Sequence, residues 1–111
     1  MISRRRWHAE CILMANVFPH FEPFVNGQLF GFRGRLGGRA GQQEGTPYAL
    51  EIRAEKNSYP ALKPSIFITP RVGPNWLVNG ALCVTHPWHP ARSTFAQLVL
   101  YAAAYLEKEK G

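Results

Sequence analysis

Four prolines stand between residues 70 and 92: Pro70, Pro74, Pro87 and Pro90. Each fixes φ and removes a backbone donor, so neither a helix nor a long paired strand can run through this stretch. An irregular loop of that length is uncommon in a compact domain unless its residues are ordered for a purpose. Patterned segments lie on both sides of it. Before it, Ser65-Ile66-Phe67-Ile68-Thr69 is an apolar run bounded by Pro64 and Pro70 and reads as a short strand. After it, Thr94-Phe95-Ala96-Gln97 offers a capping box. Phe95, Leu98, Val99, Ala102, Tyr105 and Leu106 then form one stripe of a helix ending near Lys108.

The first half of the chain carries both hydrophobic periods. From Arg4 to about Ala15, Trp7, Cys11, Ile12 and Met14 recur at three- and four-residue spacing, which predicts a short amphipathic helix stopped by Pro19 and Pro23. Gln28 to Leu36 alternates, with Phe30, Phe32 and Leu36 on one face and Arg33 and Arg35 on the other, and reads as a half-buried strand. The Gly-rich stretch from Gly37 to Gly45 comes next as a hairpin loop. Tyr48 to Ala54 is the clearest strand, with Tyr48, Leu50, Ile52 and Ala54 inward and Glu51 and Arg53 outward. The expected fold class is therefore α/β (α+β): a short N-terminal helix, an antiparallel β-meander, a long loop and a C-terminal helix.

At 111 residues the chain is read as one domain, 1–111, with an ordinary apolar fraction of 46%. No apolar run approaches the roughly 18 residues needed to span a bilayer. Arg4-Arg5-Arg6 resembles the start of a signal peptide, but His8, Glu10 and Asn16 interrupt the apolar stretch after it and no small-residue cleavage site is evident, so a cytoplasmic protein is expected. The formal charge of +6 gathers Arg4, Arg5, Arg6, Arg33, Arg35 and Arg39 in the first third, a basic face suited to an acidic partner. Nucleic acid is a weak candidate, because the arginines near the Gly-rich turn are not on a helix interleaved with aromatics. A basic surface serving only solubility fits equally well.

Cysteine usage singles out one residue. Cys11 lies in the apolar helical run Cys11-Ile12-Leu13-Met14, where a buried structural thiol is the expected role. Cys83 follows Gly80 and adjoins a His-rich turn, a setting in which a partner can reach the thiol. Asn75, in Gly73-Pro74-Asn75, precedes Cys83 by eight positions, and Trp88-His89-Pro90 closes the run before the final helix. A thiolate can carry an acyl group as a thioester, and a fixed side-chain amide can stabilise the oxyanion when an acceptor attacks. Asn75 could instead merely close a Pro-Asn turn. His86 and His89 are read as a local base or substrate contact. A thiol-protease pair would need an Asp to orient the imidazole, and the chain contains none. A metal site from Cys83, His86 and His89 with His20 or His8 lacks the paired short spacings of zinc ligands, so no metal is expected. Trp88 is read as the plug that fixes the Cys83 loop on the final helix, and Tyr59-Pro60 as a structural strand end.

Taken in order, the strand ending before Tyr59-Pro60, the proline-bounded strand Ser65 to Thr69, Pro74-Asn75, Gly80-Ala81-Leu82-Cys83, Trp88-His89-Pro90 and the helix resemble the ubiquitin-conjugating enzyme (UBC-like) family. The resemblance runs from about Gly45 to Leu106. It implies a catalytic, thioester-forming Cys83 with Asn75 as the oxyanion donor, and hence a transferase. Two departures stand out. Gly73 occupies the position of the family's motif histidine, and no aspartate is present to activate an attacking lysine. The shortened Cys83 to Trp88 segment and the lack of further C-terminal helices imply a minimal form. Such forms are similar to the conjugating-enzyme-like proteins of bacterial antiphage operons, including the short CBASS type.

That likeness implies a protein partner with an activated C-terminus, in the CBASS case a cyclic-oligonucleotide synthase, and no membrane partner. Nothing resembles a phosphate-binding loop, so no cofactor is expected here and ATP-dependent activation belongs to a separate enzyme. The rival reading is a non-catalytic binding module of the same fold.

Overall fold

The computed structural model describes residues 3–36, 48–71, 73–74, 76–83 and 87–110. It is an α+β structure of helix α1 (Arg4–Val17), strands β1 (Glu22–Asn26), β2 (Leu29–Leu36), β3 (Tyr48–Glu55) and β4 (Ser65–Thr69), and helix α2 (Phe95–Lys110). The strands form one antiparallel sheet in the order β1-β2-β3-β4. The meander therefore holds a strand that the hydrophobic pattern does not predict. Pro23, expected to stop a helix, sits in β1 opposite Phe32, and β1 is an edge strand. A proline is tolerated there because one side of an edge strand has no ladder partner to satisfy. The hairpin closes through Gly27, at φ 63°, and Gln28. Gly27, at the first of the two central positions, is the local signal for that turn.

Alternation along the strands sends one face of the sheet inward. Phe30, Phe32, Leu50, Ile52, Ala54, Ile66 and Ile68 are all buried and meet Phe95, Leu98, Val99, Ala102, Tyr105 and Leu106 of α2. Burying a side chain such as Leu98 or Val99 completely contributes on the order of 1.5–3 kcal/mol. Trp7 of α1 packs on the rings of Phe30 and Phe32, at 5.2 and 5.1 Å between centroids, and so brings α1 onto the same face.

Helix α1 begins with the Ser3 side chain accepting the Arg6 N–H at 3.0 Å and runs two residues beyond the predicted Ala15. The predicted capping box of α2 is formed reciprocally: Thr94 N–H donates to Gln97 Oε1 and Gln97 N–H donates to Thr94 Oγ1, both at 3.2 Å. The outer face of the sheet is polar. Arg33 stacks over Phe24 at 4.3 Å, Arg53 stacks over Phe67 at 4.0 Å, and Glu51 lies between the two guanidinium groups, 3.9 Å from Arg33 and 2.7 Å from Arg53.

This arrangement corrects the expectation of a single basic face. Arg33 and Arg35 belong to β2, on the side of the sheet away from α1, whereas Arg4 and Arg5 are exposed on α1. Arg6 turns inward onto Glu10. Arg39, with the predicted hairpin loop from Gly37 to Gly45, lies outside the described residues. Among the described residues no helix is long and apolar enough to cross a membrane.

Candidate functional site

The loop after β4 is built inward from backbone pairing. Leu77 N–H donates to Ala81 O at 2.8 Å and Gly80 N–H to Leu77 O at 2.9 Å, folding 77–81 into a tight turn. The Asn79 side-chain carbonyl accepts the Ala81 N–H at 3.0 Å. Gly80 completes the turn at φ 92°, a backbone region that costs a side-chain-bearing residue strain. A Cβ there would also stand 2.7 Å from the Arg71 guanidinium. Trp76 pairs with Leu82 across the turn and donates its indole N–H to Gly73 O at 2.9 Å.

Leu82 anchors the turn to the sheet. Its N–H donates to Ile66 O at 2.7 Å, and Ala81 and Leu82 are both buried. The next residue, Cys83, emerges from this anchor as a free, exposed thiol. It lies on the rim of a cleft of about 140 Å³ with Lys63, Pro64, Ile66, Leu77 and Leu82. Next to the lining residues Leu77 and Lys63 in the chain, Val78 is fully in solvent and Leu62 is 65% exposed. The arrangement is an exposed thiol next to a backbone-paired turn, on a small cleft that Lys63 also lines.

Of the other residues singled out from sequence, Asn75 and His86 lie outside the described residues. His89 is exposed in the turn leading to α2. Its N–H donates to Ser93 Oγ at 2.9 Å and its carbonyl accepts from the N–H groups of Arg92 and Ser93. It is not among the residues lining the cleft beside Cys83. Trp88 does anchor the loop, but onto the turn after β3: its indole N–H donates to Pro60 O at 2.7 Å and its ring lies 5.9 Å from that of Tyr59. Cys11 is half-buried rather than buried, and its thiol pKa is pushed up by burial and then by the charge of Glu10. Among the described residues no three His, Cys or Glu side chains gather as a metal-ligand set.

Sequence pattern gives no sign of the polar core behind the loop. Glu10, only 3% exposed, accepts from the Tyr59 hydroxyl and, at 3.0 Å, from the Phe95 N–H at the start of α2. Arg6 pairs with Glu10 at 3.3 Å and donates to Pro90 O at 2.6 Å, Ser93 O at 2.7 Å and the Tyr59 hydroxyl at 3.1 Å. One buried carboxylate and one arginine thus tie α1 to the end of the Cys83 loop and to α2. A carboxylate at a helix N-terminus satisfies an orphan N–H and meets the positive end of the helix dipole. Burial and the hydrogen bond to Glu10 push the Tyr59 phenol pKa upward, with Arg6 opposing the shift.

Comparisons with protein-family models, with curated proteins and with solved structures found no match to this chain.

Proposed function

We propose that this chain is a ubiquitin-conjugating-enzyme-like acyl carrier. The observation that carries the reading is the placement of Cys83: an exposed thiol one residue beyond the Leu82 to Ile66 backbone bond, in the loop that joins a four-strand antiparallel meander to α2. The order helix, meander, cysteine loop, helix agrees with the one the sequence resemblance implies. Cys83 thiolate attacks the activated C-terminal carbonyl of a protein partner and takes it as a thioester. The acyl group then passes to an amine or to another thiol. The Asn75 amide is assigned to the oxyanion that forms in each transfer. The partner is a protein with an activated C-terminus, and a cyclic-oligonucleotide synthase is the specific proposal drawn from the likeness to short CBASS systems.

Two features suit the site to this chemistry. The thiol is accessible enough for a macromolecular donor, and the pinned turn holds it without the entropy cost of ordering a free loop at each encounter. Intact-mass spectrometry of the protein and its Cys83→Ser variant, each isolated from its native host, tests the reading. The expected result is a reductant-labile adduct on the unaltered chain and a reductant-resistant ester on the serine variant, with the adduct mass identifying the donor. Absence of both adducts while partners still co-purify would replace the carrier reading with the non-catalytic binding module.

A further inference from the structure

The outer face of the sheet, opposite the core, carries a groove of about 700 Å³. Arg33, Arg35, Arg53, Glu22, Glu51 and Phe67 line it, and Cys83 does not. Within β2 the aromatics Phe30 and Phe32 are buried in the core while Arg33 and Arg35 are exposed on the opposite face, so that strand alone does not present both kinds of side chain together. The sheet does so by pairing neighbouring strands. Arg33 of β2 stacks over Phe24 of β1 at 4.3 Å, and Arg53 of β3 stacks over Phe67 of β4 at 4.0 Å. Phe24 lies opposite Gly31, where a Cβ would stand 3.3 Å from its ring. From this repeated layering of cation on ring we propose that the outer face is a docking surface for single-stranded nucleic acid, with bases stacked on the two guanidinium planes and phosphate drawn to Arg35.

The way the guanidinium groups are held selects this occupant. Glu51 sits opposite Arg33 in the register and engages both arginines, 2.7 Å from Arg53 Nε and 3.9 Å from an Arg33 terminal nitrogen. An acidic peptide would need those same guanidinium edges for its carboxylates. The flat faces are a different resource: one is laid on a phenyl ring, and the side chains of Arg33 and Arg53 remain 53% and 36% exposed on the groove. A planar cation fixed in this way is a platform on which an unpaired base stacks, and a duplex, whose base faces are already stacked, cannot use it. Arg35 is exposed and has no hydrogen-bond or ion-pair partner among the described residues, which leaves its charge for a phosphate. Three arginines stand against two glutamates in the groove, so stacking contributes more than charge, while the formal charge of +6 on the whole chain steers a polyanion toward it.

Fluorescence anisotropy of the full chain with a labelled oligothymidylate of about 15 residues, single-stranded and in duplex with its oligoadenylate complement, tests the proposal. In about 50 mM salt the single strand should bind at least about tenfold more tightly than the duplex. Arg35→Gln should lower the slope of log affinity against log salt by about 0.7, the value of one single-strand phosphate contact. Because Arg35 is exposed and unpaired among the described residues, this variant keeps the fold. Arg33→Lys combined with Arg53→Lys keeps both charges but loses the planes, and should weaken binding at least about fivefold with the salt slope unchanged. Arg4→Gln combined with Arg5→Gln removes two exposed charges from α1 and should change affinity less than about threefold. Circular dichroism checks that each variant retains its helix and strand content.

No binding of the single strand in about 50 mM salt overturns the proposal. Duplex binding of equal strength, an equal loss from the α1 pair, or a lysine pair that binds as tightly as the parent does the same. Binding of a polyglutamate peptide in place of the oligonucleotide would make the groove a surface for an acidic protein and overturn the nucleic-acid assignment.

Discussion

The Tyr59 hydroxyl donates to the Glu10 carboxylate, joining two residues 49 positions apart in the sequence, one on α1 and one in the turn after β3. The same carboxylate accepts from Phe95 N–H, 85 positions away, so three separate segments meet on one buried side chain. Removing a partner from such a network leaves the others buried and unpaired, and that penalty exceeds the net worth of any single bond.

Glu10→Ala should therefore destabilise the fold by about 3–5 kcal/mol, the range for breaking a buried ion pair from one side. Glu10→Gln, which keeps an acceptor for Tyr59 or Phe95 but loses the charge facing Arg6, should cost less. Urea titrations followed by tryptophan fluorescence separate the two. A loss under about 1 kcal/mol for the alanine variant would mean that the network is not what fastens α1 to α2.

Alkaline pH should weaken the fold through Tyr59. Its phenol is held protonated in the folded state by burial and by Glu10, so its folded pKa lies above the unfolded value of 10.0. A raised folded pKa contributes stability that is complete below the unfolded pKa and is lost as pH rises toward the folded one. Above about pH 10 the unfolded chain releases this proton and the folded chain does not, and stability falls by at most about 1.4 kcal/mol per pH unit for this group. Thermal unfolding between pH 9 and 11 should show a steeper decline for the unaltered chain than for Tyr59→Phe.

The two thiols should differ sharply in reactivity. Cys83 is exposed, whereas Cys11 is half-buried with its pKa raised by burial and by Glu10, which keeps it protonated and unreactive near neutral pH. Brief iodoacetamide treatment at pH 8 followed by peptide mapping should label Cys83 at least about tenfold faster than Cys11. Equal labelling would contradict the placement of the cysteine loop.

Gly80→Ala tests the turn that presents the thiol. The residue sits at φ 92°, and its new Cβ would meet the Arg71 guanidinium, so the variant should lose about 1–3 kcal/mol while retaining its helix and strand content. Urea denaturation with far-UV circular dichroism measures both. A variant as stable as the parent would show that the turn relaxes without cost.

Much of the fold is written in local patterns. Alternation in Tyr48–Glu55, the proline brackets around Ser65–Thr69 and the Thr94/Gln97 box each specify an element through neighbours a few residues apart. Strand β1 is not legible in the sequence, because Pro23 is a stop signal in isolation and acceptable only once the strand is known to be an edge. Cys83 stands out through its spacing from Asn75 and its neighbours Gly80 and Trp88. Glu10 and Lys63 carry no such signal.

By itself, the sequence determined the α+β class, helix α1, the elements from β2 onward and the loop in which Cys83 falls, since these depend on hydrophobic period and backbone chemistry over short spans. Tertiary structure alone decided that the arginines split between α1 and the far face of the sheet, that a charged residue in an apolar helix is the buried cap of α2, and that Lys63 shares a cleft with Cys83. Those relationships join residues distant along the chain, and only packing of the helices and loop against the folded sheet brings them within reach.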